Sequence, residues 1–187
     1  MDAPVMAERI LEGLRRLNRR IAILTGAGLL ACAAFVLLDI LLRQAGASFG
    51  GTDEISGYAM AISAAWGMGY ALIELGHVRI DFLRVRTGQV ARTLFDLLAM
   101  LAMSGTVTLI ALKCWPVLEK SLKNLSRANT PLETPLWIVQ LPWMAGWIWF
   151  ALMSWAVFLC ALALVLKGRL AESEKAIGAI GEAESLK

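Results

Sequence analysis

Histidine is almost missing from this sequence: His77 is the only one in 187 residues. A membrane haem held by two histidines of the chain is therefore excluded, as is any histidine-rich metal set. Cysteine is scarce too. Cys32, Cys114 and Cys160 form no C-x-x-C pair, and two of them lie deep in apolar segments, where a thiol behaves as a small hydrophobe. No disulfide or metal role is expected of them. Charge is also short, at 18% of residues against about 25% in soluble domains. The net charge of +3 is unremarkable and gives no sign of nucleic-acid binding. There is no nucleophile elbow and no phosphate-binding loop.

Apolar residues are plentiful, at 58%, with a mean hydropathy of +0.65. A helix crossing the hydrocarbon core needs about 20 consecutive, mostly apolar residues. Four segments meet that need: residues 21–42, 55–75, 93–112 and 136–166. The sequence predicts an all-α integral membrane protein with four transmembrane helices forming a membrane domain over 21–166. The first apolar run is too long for a signal-peptide core and follows a charged leader, so it is expected as an uncleaved span.

Residues 1–20 place Ile10, Leu11, Leu14, Leu17 and Ile21 on one helical face and arginines on the other. That pattern predicts an N-terminal amphipathic interfacial helix among membrane lipids. The alternative is a solvated helix that extends the first span. Leu118, Leu122 and Leu125 form a second such face between spans three and four, with Pro116 at its start or bend. Residues 167–187 are small, polar and alternately charged, and are expected as a flexible tail.

Short-loop cations set orientation. Arg9, Arg15, Arg16, Arg19 and Arg20 precede the first span; Arg79, Arg84, Arg86 and Arg92 follow the second; Lys167, Arg169 and Lys175 follow the fourth. The loop between spans one and two has only Arg43 at its edge, opposed by Asp53 and Glu54. Both termini are expected in the cytoplasm. Lys113, Lys120, Lys123 and Arg127 in the third loop dissent, and an even number of spans overrides them.

Ionisable groups beside apolar segments need a partner or a purpose. Asp39 and Arg43 are four residues apart, hence on one helix face, and Glu54 lies just across the loop. A salt-bridged cluster tying spans one and two is expected, against the alternative of charges snorkelling into headgroups. At the other end of span two, Glu74 and His77 are expected on one face, with Arg79 and Asp81 following as the chain leaves the membrane. A histidine beside a carboxylate can act as a base or relay; structural anchoring is the plainer reading. The fourth segment holds five tryptophans. Trp137 and Trp143 suit an aromatic belt, and Pro142 suits an early turn or a kink. The deeper Trp147, Trp149 and Trp155 are core packing, lipid contact, or a surface for another membrane protein.

These residues match a family. "GYALIELGHVRIDFL" resembles the G-H-I-x-V-D segment of the small membrane subunit of tripartite ATP-independent periplasmic (TRAP) transporters, the DctQ-like family. "FVLLDILLRQ" is similar to its first span, and "TDEISGYAMAISAAWGMGYAL" to its acidic start of span two. "TPLETPLWIVQLP", with Pro135 and Trp137, resembles its lead-in to the last span. The likeness runs over roughly residues 21–166. Asp53-Glu54 departs from it, since many members have two glutamates there.

The resemblance implies a non-catalytic subunit without cofactors, set beside a large membrane subunit that carries substrate and sodium, with a periplasmic solute-binding protein docking outside. The implied setting is the bacterial inner membrane. The residues alone are compatible: polar side chains cluster at the span ends, and no inverted repeat or mid-depth polar path is evident. Two rival readings remain at this stage. One is the membrane anchor of a redox complex; the other is a small membrane enzyme using Glu74 and His77.

Overall fold

The structure is a computed structural model and describes residues 3–77 and 86–178. Among the described residues it is all helical, with five helices: α1 (Ala3–Gln44), α2 (Thr52–Ile73), α3 (Gln89–Lys123), α4 (Leu136–Leu166) and α5 (Leu170–Ile177). Three are long and apolar enough to cross a membrane: α1 from Arg9 onward, α3 and α4. The 22-residue α2 is also long enough for the hydrocarbon core. Its glycine, serine and alanine content dilutes the apolar signal, and it is not one of the three.

The four long helices stop in the same manner, with paired backbone bonds of the Schellman type. In α1, Ala47 N–H donates to the Leu42 carbonyl (3.0 Å) and Gly46 N–H to that of Arg43 (3.1 Å). In α4, Arg169 bonds Leu164 (3.0 Å) and Gly168 bonds Val165 (2.9 Å). There the left-handed residue is glycine: Gly46 at φ 81 and Gly168 at φ 74. In α2 and α3 the same position holds Leu75 (φ 55) and Leu125 (φ 48). A side chain at such a φ costs about 1 kcal/mol.

α4 is the central helix. It packs on α3, α2, α1 and α5, and α1 also lies along α2. The α2–α4 contact is close because Gly146 lacks a side chain: a Cβ there would stand 2.8 Å from the Ala65 Cβ. Small residues permit this approach, which membrane helices use in place of a hydrophobic drive. The apolar core runs through Leu72, Met100, Val107, Phe150, Val157 and Ala161. Burial is uneven. In the most apolar stretch of α4, 44% of residues are buried; in that of α1, none are.

Several expected boundaries differ. Residues 3–20 are not a separate interfacial helix but the first part of an unbroken α1. The reason is packing: Leu11 and Leu14 lie against the core, and Asn18 is buried. Leu118 and Leu122 of the leucine face expected in the third loop lie in the last part of α3, Leu125 lies beyond its end, and Pro116 sits inside that helix. There it removes one N–H from the backbone ladder. Part of the expected flexible tail is helix α5, whose Ser173 and Ile177 are buried.

Candidate functional site

The α1–α2 and α3–α4 turns gather at one end of the bundle, the hairpin end. The start of α1, the close of α2 and α5 gather at the other, the terminal end. Two carboxylates organise the hairpin end. Asp39, only 1% exposed, accepts four hydrogen bonds. Its Oδ1 receives Ser48 Oγ (2.9 Å) and Phe49 N–H (2.8 Å). Its Oδ2 receives Arg43 Nε (2.8 Å) and Thr52 Oγ1 (3.0 Å). Arg43 Nη2 also donates to Thr52 Oγ1 (3.0 Å). An ionised carboxylate offers about four acceptor sites, so Asp39 is fully satisfied where it is buried. Phe49 stacks on Phe35 at 5.4 Å, folding the turn back over α1.

Glu54 does not join that cluster. It faces the second turn, where Thr130 donates to Oε2 and Tyr58 to Oε1 (2.7 Å). The hydrogen bond from Thr130, with those from Tyr58 and Thr134, holds the carboxyl below the usual glutamate range, against the opposing pull of its partial burial. Sequence distance explains the difference: Asp39 and Arg43 are helical neighbours, whereas Thr130 is 76 residues from Glu54. Gly51 sits between the two turns at φ 68, where an added Cβ would run into the Leu132 side chain. The second turn closes on itself through Ala128 N–H to Thr134 O (2.9 Å) and Leu136 N–H to Ser126 O (3.0 Å). Pro135, extended at φ −62 and ψ 118, leads into α4. Trp137 is exposed just beyond it.

The terminal end uses different means. Its fixed point is Asn18, fully buried and absent from the expected site residues. Asn18 Nδ2 donates to the Leu14 carbonyl (3.0 Å) and to Met153 Sδ (3.2 Å), and Oδ1 accepts from Trp149 Nε1 (3.1 Å). Gly69 makes room, since a Cβ there would stand 2.8 Å from Asn18 Oδ1. One amide thus joins α1, α2 and α4. The signal was available: Asn18 lies seven residues after Leu11 and four after Leu14, a polar residue on the apolar stripe.

Glu74 and His77 do not share a helical face, because α2 stops at Ile73 and Leu75 turns the chain. Glu74 meets Arg15 at 3.6 Å, both partly exposed, and His77 stacks on Phe150 at 6.0 Å. Arg79 and Asp81 lie outside the described residues. The tryptophans tie helices together. Trp66 Nε1 donates to the Pro142 carbonyl (2.9 Å) and Trp155 Nε1 to Thr108 Oγ1 (2.8 Å). Trp149 stacks on Trp66 at 6.4 Å.

No curated protein and no solved structure matches the chain. A family profile does, over residues 32–168, well over half of the chain. Its description is "Tripartite ATP-independent periplasmic transporters, DctQ component". It spans the Asp39 cluster, Glu54, α2, α3 and all of α4. The chain belongs to the DctQ family, the small permease subunits of TRAP transporters.

Proposed function

We propose that this subunit is a scaffold for the large membrane subunit of its transporter and that its hairpin end forms part of the docking face for a periplasmic solute-binding protein. In this reading α2 from Ile55 onward is the fourth span, with Glu54 at its outer rim, both termini face the cytoplasm, and the complex takes up an organic acid driven by an ion gradient. The subunit moves no solute itself, and its site residues Asp39, Arg43 and Glu54 hold the docking end in shape.

One observation carries the reading: where α1 is most apolar, none of its residues is fully buried in its own fold. Leu24, Leu30, Leu37 and Leu41 are each more than 60% exposed. Exposed apolar surface of this extent needs lipid or another membrane protein against it. Ion-gradient transport also needs a polar path, and two carboxylates of α1 and α2, Asp39 and Glu54, are engaged in tying turns.

Reconstitution tests it. Liposomes holding this chain alone are expected to take up no solute. Liposomes holding the large subunit are expected to gain uptake only when this chain is added with the binding protein. Uptake by this chain alone, or full uptake without it, would refute the scaffold role.

A further inference from the structure

At the terminal end α2 stops at Ile73 while α1 and α4 run on, and α5 packs on α4 and α3. The space left under α2 is a cavity of about 400 Å³. Its walls come from four helices and divide by chemistry. Leu11, Ile73, Val157 and Leu164 are apolar, and Arg15 and Lys175 bring positive charge. Glu12 and Glu172 also border it, but each carboxylate already has a cation: Arg16 at 3.3 Å for Glu12 and Arg169 Nε at 2.6 Å for Glu172. Arg15 pairs with Glu74 at 3.6 Å, an exposed contact that a phosphate can share. Lys175 has no ion-pair partner among the described residues. The charge left to recruit a ligand is therefore positive.

We propose that this cavity holds the phosphate and part of one acyl chain of an anionic phospholipid. Arg15 and Lys175 meet the phosphate, and the apolar walls take the chain. Both belong to one molecule at this depth, because α1 and α4 are helices of membrane-spanning length and apolarity. A soluble anion would use the cations and leave the apolar walls wet. A zwitterionic lipid would bring an ammonium into a site whose carboxylates are already paired. Basic pockets between membrane helices favour anionic headgroups for this reason. The inference rests on the membrane-spanning reading and not on the scaffold role.

The test uses the whole chain purified in detergent, with phosphatidylglycerol, phosphatidylcholine or inorganic phosphate added, and bound molecules counted by native mass spectrometry. One phosphatidylglycerol per chain is expected to survive, retained about tenfold better than phosphatidylcholine. The paired change Arg15→Ala with Lys175→Ala, at exposed positions that the fold tolerates, is expected to reduce that retention about tenfold. Arg19→Ala with Arg20→Ala, equal in charge but off the cavity, is expected to leave it unchanged. Equal retention of both lipids, an equal loss in the control pair, or displacement of the lipid by inorganic phosphate would each overturn the proposal.

Discussion

The two ends of the bundle anchor α1 by different means. At the hairpin end the ties are ionised and enclosed: Asp39 is buried with four donors, and Glu54 reaches across to the second turn. At the terminal end the tie between α1 and α4 is a neutral amide, Asn18, and Asp96 near the start of α3 is buried as well. Two ion pairs there, Arg15 with Glu74 and Arg16 with Glu12, stand in the open, and Arg169 with Glu172 is half-buried. A buried carboxylate contributes only if every acceptor site is met, and its loss then strands all its donors at once. An exposed pair contributes little either way. The hairpin end should be rigid and intolerant of change, and the terminal end adaptable.

The sharpest way to break this contrast is Asp39→Ala. It strands Arg43, Ser48, Thr52 and the Phe49 N–H together. It is expected to lower the Tm in detergent more than any other change discussed here. A Tm within a degree or two of the parent would show that the turn does not depend on the carboxylate. Next in size is Asn18→Ala, which leaves the Trp149 N–H without its acceptor. The expected loss is about 2 kcal/mol, roughly 4–8 °C in Tm, and an unchanged Tm would remove Asn18 as a tie.

A smaller effect concerns acid. Glu54 has a lowered carboxyl pKa in the fold. Its contribution is therefore complete above the unfolded value of about 4.3 and fades as pH falls through the folded one. The parent should lose more stability than Glu54→Gln when pH is taken from 6 to about 3; parallel losses would mean that Glu54 is not the group responsible. Last comes Glu74→Gln, expected to change stability by less than about 0.5 kcal/mol. A loss as large as that of Asn18→Ala would erase the distinction between the ends.

The sequence made some of this readable and hid the rest for definable reasons. Apolar length revealed α1, α3 and α4, and helical spacing paired Asp39 with Arg43. Glu54 was read into the wrong cluster because its partner Thr130 is distant in sequence. The close of α2 was misjudged because Leu75 takes a left-handed φ that glycine would have announced. α5 was hidden by its small, polar composition, since few of its side chains are buried. Asn18 is legible in principle, as a polar residue on an apolar stripe, but the arginines around it mask that signal.

Among the described side chains of α1, only Asn18 and Asp39 are fully buried. They are 21 positions apart (39 − 18), a rise of about 31 Å, close to the thickness of the bilayer's oily layer. The helix is moored like a spar at two posts, with no fully buried side chain between them. Changes at its outward leucines, Leu24, Leu30 and Leu37, cost this fold little, so that one frame can be refitted to different companions without being rebuilt.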